Sequence, residues 1–253
     1  MRPLDVPVVY EPHCFKFDDP SVSKLLKFAY FNAERLLARN CTAFATLSTH
    51  ETGLARDVAP QVPSVYLPNV PAVETDRNSF QGARTTFARV SMVGRISRQK
   101  DPTYFIEVAR ALKGLGSGLK PVWIGDGTPK LRAMLESNGV EVTGWLNGDE
   151  LTAALNESIY CHTAAYEGFP LSVLDAAAIN VPIVARAIPA FVQTPLAVAT
   201  SPGRVAEMVF KLETSAEAQA DATESNRVLL ESYNAQNLRA KLESLYLLAR
   251  DST

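Results

Sequence analysis

The chain has 253 residues, 47% of them hydrophobic, and 25 Lys and Arg stand against 27 Asp and Glu for a formal net charge of -2. That length and apolar content support a sizeable core in one large or two small domains, and a near-neutral chain without a basic run gives nucleic acid nothing to grip. Three scattered cysteines, Cys14, Cys41 and Cys161, argue against a disulfide framework or a zinc site and make a reducing cytoplasm the natural setting, while no apolar run reaches the roughly 20 residues that cross a bilayer.

In chain order, Val6 to Tyr10 predicts a β-branched strand that starts almost at the first residue and runs into Glu11-Pro12-His13. A buried parallel strand needs neighbours on both sides, and nothing upstream supplies one. Ser21 to Arg39 predicts a helix with Leu25, Phe28, Ala29, Asn32 and Leu36 on one stripe, Leu26, Tyr30, Ala33 and Leu37 on another, and Lys24, Lys27, Arg35 and Arg39 between them. Burial against a sheet is the expected use of so broad a surface, and peripheral membrane contact the alternative. Thr42 to Leu47 predicts a second strand. Ser48 then serves as N-cap, with Glu51 completing a capping box on a helix that ends near Asp57. Val65 to Leu67 predicts a third strand, and the polar, aperiodic segment from Ala72 to Phe87 a linker.

From Ala88 strands and helices alternate. Val90 to Val93, Pro121 to Ile124 and Val140 to Thr143 predict strands; Pro102 to Leu115, Pro129 to Ser137 and Asp149 to Leu155 predict helices. This rhythm implies βαβ units on a right-handed, doubly wound parallel sheet, in which ligands bind outside the carboxyl ends of the strands. Gly94-Arg95, Gly125-Asp126-Gly127 and Glu167-Gly168 all fall at such ends. Further on, Leu196 to Ala199 predicts a last strand and Pro202 to Leu212 a helix. Two more helices follow, Ser215 to Tyr233 and Ala235 to Ala249, the second carrying Leu238, Leu242, Leu245 and Leu248 for docking on the body. The expected division is 1–87, an N-terminal α/β unit with linker; 88–214, a Rossmann-like nucleotide-binding domain; and 215–253, C-terminal helices.

One stretch, Tyr160 to Arg186, carries the densest signal: strand, turn, helix, strand, with Glu167-Gly168-Phe169-Pro170 at the turn. Gly168 lets backbone approach a ligand, and the free amides of the helix start favour an anion. Asp175 lies in the second turn. Five residues of helix rise by about 7.5 Å, so the two acids flank the anion site as separate anchors, an arrangement suited to a nucleotide sugar. Taken singly, Glu167 reads equally well as a solvated loop acid and Asp175 as a helix-surface residue. Arg95, a planar fork of donors, and Lys100, a movable point charge, form a pair suited to a diphosphate at the same sheet edge.

Val93-Gly94-Arg95 with Lys100-Asp101, then Ile124-Gly125-Asp126-Gly127, then Glu167-Gly168-Phe169-Pro170 with an acid eight positions on, resembles the nucleotide-sugar domain of retaining family 4 (group 1) glycosyltransferases. The resemblance spans Val6 to the C-terminus. It implies a GT-B-like fold of two Rossmann-like domains, the N-terminal one incomplete here. It also implies sugar transfer from a nucleoside-diphosphate donor with retention and no metal or other cofactor, in glycan or glycoconjugate biosynthesis. By motif, Arg95 and Lys100 hold the diphosphate, and Glu167 holds sugar hydroxyls near the reacting carbon. Gly94, Gly125, Gly127, Gly168, Phe169, Pro170, Leu171 and Ser172 line the donor site, while Asp175 stands where the family's second glutamate binds the ribose, one methylene shorter. His13 falls where the family often carries an active-site histidine; an ordinary hydrogen-bonded residue is the other reading. His50 and His162 belong to no motif and are expected to be structural.

The acceptor implied is a sugar, a lipid-linked sugar or another small molecule. A partial N-terminal domain leaves a sheet edge open, so a partner subunit or oligomer is expected to cover it. A truncated start, one subunit of a split enzyme and a remnant that binds nucleotide without transfer all fit. A glycoside hydrolase using Glu167 and Asp175 is weaker, because the acids sit beside an anion site. No G-x-G-x-x-G opens the second domain, which disfavours a dehydrogenase.

Overall fold

The computed structural model describes residues 6–73 and 86–251. Most of the linker expected at 72–87 therefore lies outside the described residues. Near the N-terminus, strands β1 (Val9–Tyr10), β2 (Ala43–Thr46) and β3 (Ser64–Tyr66) form a parallel sheet in that order. Alternation splits β2 between two layers. Phe44 faces Phe15, Ala55 and Val58, whereas Ala43 and Ala45 face Leu245 of the last helix.

Helix α1 (Lys24–Leu37) departs from the expected burial. None of its residues is buried, and Leu25, Leu26, Phe28, Tyr30, Leu36 and Leu37 are all exposed. Its inward side is instead the row of Lys27, Phe31 and Glu34. Phe31 meets Phe17 edge to face at 5.3 Å, and Glu34 accepts a 3.3 Å hydrogen bond from the Tyr10 hydroxyl. Both apolar stripes thus point away from the rest of the described residues. Helix α2 (Thr49–Val58) starts at Ser48, whose Oγ accepts the Glu51 amide at 3.2 Å as a capping box requires. The reciprocal half is replaced: the buried Glu51 carboxylate takes the amides of Leu47 at 2.7 Å and Cys14 at 2.8 Å, stitching two loops together.

The second sheet contains β4 (Arg89–Val93), β5 (Lys120–Ile124), β6 (Glu141–Val142), β7 (Ser158–His162), β8 (Ile183–Arg186) and β9 (Ala197–Ala199). It is wholly parallel, in the order β6-β5-β4-β7-β8-β9, so the chain leaves β4 toward one edge and returns to build the other. The reversal point between β4 and β7 is where such sheets bind ligands. Helices α3 (Pro102–Gly114), α4 (Pro129–Ser137), α5 (Gly148–Asn156), α6 (Leu171–Ala178) and α7 (Pro202–Thr214) connect or flank these strands. The core is continuous from Val90 through Trp123 and Val184 to Val209. Helix α8 (Ala216–Ser232) adds Ala218, Ala222 and Leu229 to the same core, while α9 (Ala235–Asp251) crosses to the N-terminal sheet. No described helix is long and apolar enough to cross a membrane.

Candidate active site

The ends of β4 and β7 and the start of α6 meet over a cleft whose other wall is the N-terminal unit. Gly94 ends β4 with φ +135°, and a Cβ there would lie 3.2 Å from Lys100 Cε. Glycine therefore lets the lysine stem fold back over the strand end. Lys100 Nζ donates to Glu167 Oε1 at 2.6 Å, with 17% and 9% of the two side chains exposed. Gln99 braces the same acid, its Nε2 donating to the Tyr166 carbonyl at 3.1 Å and to Glu167 Oε2 at 3.4 Å. Helix α6 opens at Pro170, which offers no side-chain cap, so its first amides face the cleft unclaimed by a cap. A flexible cation, a braced carboxylate and an uncapped helix start thus converge on one place.

Two adjoining cavities share Gly94, Gln99, Lys100 and Glu167. The larger, about 800 Å³, is lined also by Lys16, Asp19, Arg95 and Trp145. The smaller, about 360 Å³, reaches His13, Cys14 and the α6 start at Leu171 and Ser172. Arg95 is exposed on the rim. Trp145, 63% exposed, presents a flat aromatic face there. A separate cavity under α7 and α8, about 160 Å³ and lined by Ile183, Leu196 and Leu212 among others, includes none of these groups.

The N-terminal wall is held by contacts that sequence patterning did not reveal. His13 and Cys14 adopt left-handed φ values of 48° and 88°, turning the chain after β1 into the cleft. His13 remains mostly exposed, 3.6 Å from Glu11. Burial, then the Glu167 and Glu51 carboxylates, push the Cys14 thiol up to about 12, so it stays protonated and accepts the Gly168 amide. Asp19, nearly buried, receives Tyr166 Oη at 3.0 Å, Lys16 Nζ at 2.6 Å and the Ser21 hydroxyl at 2.6 Å. Burial works to raise this carboxyl, but those hydrogen bonds prevail and hold it well below the usual range. His50, outside the cleft lining, lies 2.9 Å from Asp18 Oδ2.

Three expected donor residues have other work in the structure. Gly125 and Gly127 line neither cavity. A Cβ at Gly125 would stand 2.2 Å from the Gly94 carbonyl, and one at Gly127 2.4 Å from the Ile96 carbonyl. They are small because two strand-end loops pack backbone to backbone, secured by Trp123 Nε1 donating to the Gly94 carbonyl at 2.8 Å. Asp175 is 7% exposed, and its Oδ1 accepts the Ala72 and Val73 amides at 2.7 and 3.3 Å. It is a buried tether for the chain leaving β3, with its carboxyl raised by desolvation against those two bonds. Gly168 and Phe169 serve the domain interface. A Cβ on Gly168 would meet Leu47 Cδ1 at 3.1 Å, and the Phe169 carbonyl accepts Asn69 Nδ2 at 2.9 Å. Among the described residues no three His, Cys, Asp or Glu side chains group as a metal site.

Residues 88–225, more than half of the chain, match the family described as "Glycosyl transferases group 1", and the chain belongs to that family. No curated protein sequence matches it. Among solved structures it is similar to a mutant of S. aureus TarM in complex with fondaparinux, alpha-GlcNAc-glycerol and UDP, with TM-score 0.70 and 19% identity over 96% of this chain and 50% of that one. Anabaena HepE in complex with UDP and glucose gives TM-score 0.74 and 14% identity over 95% and 71%. Sucrose-phosphate synthase from Thermosynechococcus elongatus gives 0.77 and 14% over 97% and 68%. The fold is GT-B-like, with a six-stranded parallel sheet following a three-stranded one among the described residues, and the chain spans about half the length of TarM.

Proposed function

We propose that this chain carries the donor half of a retaining, family 4 glycosyltransferase, moving a hexose from a nucleoside diphosphate to a sugar, lipid-linked or other small acceptor in glycan or glycoconjugate assembly. The observation that carries the reading is the 2.6 Å Lys100–Glu167 pair beside the uncapped start of α6, opening on about 800 Å³ of cleft. A diphosphate at the helix start gains from its amides and dipole, and Lys100 and Arg95 meet the negative charge that grows on the leaving group. This division of labour needs no metal. Lys100 turns to the phosphate while Gln99 keeps Glu167 aimed at sugar hydroxyls. Trp145 offers a stacking face for the base. His13 reaches the reacting centre from the N-terminal wall, and Asp175 acts at the ribose end through Ala72 and Val73, whose amides it holds. Gly125 and Gly127 act on the donor through the shape of the loops they let pack. The reaction belongs in the cytoplasm.

Calorimetric titration with UDP, GDP, ADP and their sugar adducts tests this. Saturable binding of one nucleotide, weakened in Arg95→Ala, with the sugar's added affinity lost in Glu167→Ala, is the expected result; a folded chain that binds none refutes it. A second reading, a nucleotide-sugar-binding partner subunit without transfer, draws on the outward apolar stripes of α1. In it a partner chain covers that face. Release of nucleoside diphosphate on adding acceptor separates the two, and a monomer by light scattering in the absence of vesicle binding would sink the partner assignment.

A further inference from the structure

Beneath the start of α6 lies a row of buried polar groups that the donor reading leaves unused. Tyr160 and His162 are two residues apart on β7, so their side chains leave the same face of the strand, and both are fully buried. The Tyr160 hydroxyl is 2.8 Å from Ser172 Oγ and 2.9 Å from His162 Nδ1. Ser172 stands in the first turn of α6 and lines the smaller cavity. The other imidazole nitrogen, Nε2, is buried without a hydrogen-bond partner and faces Glu167 Oε1 at 3.8 Å, the same oxygen that Lys100 holds at 2.6 Å. Hydrogen bonds therefore run from Ser172 at the cavity to His162, and 3.8 Å separates the ring from Glu167.

A neutral imidazole carries one proton, and the nitrogen that holds it sets the direction of every hydroxyl in the row. Burial, then the Lys100 charge, keeps the His162 pKa well below its ordinary value, so the ring is neutral. With the proton on Nε2, an N–H faces the Glu167 carboxylate and Nδ1 accepts from Tyr160. The Tyr160 oxygen accepts from Ser172, and Ser172 turns only lone pairs to the cavity. With the proton on Nδ1 the row reverses. His162 donates to Tyr160, Tyr160 donates to Ser172, and the Ser172 O–H is free to donate outward. An empty site favours the first arrangement, because a bare Nε2 lone pair would oppose a carboxylate. A phosphate oxygen at the helix start favours the second, because it needs a donor.

We infer that His162 is a positioning residue whose tautomer, relayed through Tyr160, decides whether Ser172 donates to the donor's phosphate, and that nucleotide binding moves it from Nε2–H to Nδ1–H. The inference rests on the donor site proposed above. Protons balance: one enters from the cavity at Ser172 and is handed through Tyr160 to Nδ1, one leaves Nε2 by way of the Glu167 carboxylate to the cavity, and net charge is unchanged.

The chain has three histidines, so ring-nitrogen NMR of the ¹⁵N-histidine-labelled chain resolves the question, with His162 assigned by its loss in His162→Gln. The expected spectra show the proton on Nε2 in the free protein and on Nδ1 once whichever of UDP, GDP or ADP binds has saturated by calorimetry. The matching nucleoside, lacking phosphate, leaves it on Nε2. Tyr160→Phe, which keeps the ring, should lose about fivefold in nucleotide affinity, one hydrogen bond's worth, and its His162 should no longer respond. Saturating nucleotide with unchanged His162 nitrogens would overturn the inference and leave the donor site standing. No saturable binding by any of the three would remove the donor site, and the inference with it.

Discussion

Four of the six strands in the C-terminal sheet are flanked on both sides, against one of three in the N-terminal sheet. The helices differ in the same sense. Short α6 buries every residue from Val173 to Ala178, whereas 14-residue α1 buries none and turns its leucines outward. The loops that follow the paired strands β4 and β7 bring Gly94, Lys100 and Glu167 to one sheet edge. The N-terminal unit has two smaller apolar clusters and adds polar stitches, Glu51 to two loops and Asp19 to Tyr166. The proposed donor groups thus lie mainly on the C-terminal half, and the facing wall of the cleft on the N-terminal one.

The sharpest test of that contrast is Trp123→Ala, which removes a fully buried ring stacked edge to face on Phe105 and a hydrogen bond to the Gly94 carbonyl. A loss of about 3–5 kcal/mol in denaturant titration is expected, with nucleotide binding falling as the β4 end loosens. Next comes Lys100→Ala. It deletes the cation proposed to meet the phosphate and leaves Glu167 without its shortest bond, so nucleotide affinity should fall roughly 10- to 100-fold while the fold persists. Calorimetry beside circular dichroism checks both halves of that statement.

A smaller effect is expected at the stitch. The Asp19 carboxyl is depressed in the folded state, so its contribution is present above the unfolded value, about 3.9, and is lost as pH falls through the folded value. Asp19→Asn should be less stable than the parent chain at pH 7, and the gap should narrow steadily below about pH 4. A gap that stayed constant down to acid would break the assignment. The smallest effect is reserved for α1. Replacing Leu25, Phe28 and Leu36 with serine should change unfolding free energy by no more than about 0.5 kcal/mol per site, because all three are exposed and none of the described residues covers them. The same variant should lose any self-association or vesicle binding that light scattering and flotation detect in the parent.

Much of the C-terminal half was legible from residues alone, because βαβ periodicity and capping are local. α4 falls on Pro129–Ser137 and β7 on Ser158–His162, as the pattern predicts, since Thr128 caps one and an unbroken apolar run marks the other. Lys100 and Glu167, 67 positions apart, were joined by motif before the structure joined them by distance. The burial of α1 was misread because periodicity shows that a helix has an apolar face but not which way it points. Tyr166 carries no spacing signal, since it matters through Asp19, 147 positions away, and neither Lys16 nor Trp145 belongs to a motif. The Asp175 tether and the two close backbone approaches at Gly125 and Gly127 were hidden for the same reason.

By itself, then, the order of residues determined the elements, the parallel sheet and the strand ends where chemistry would lie, all of which depend on interactions within a few turns or one crossover. Only the tertiary structure decided that His162 sits under Ser172 rather than in an anonymous core, that α1 faces outward, and that Asp175 holds the linker. Those outcomes turn on which of several chemically equivalent partners a buried polar group meets, and that choice is made by packing across long stretches of chain.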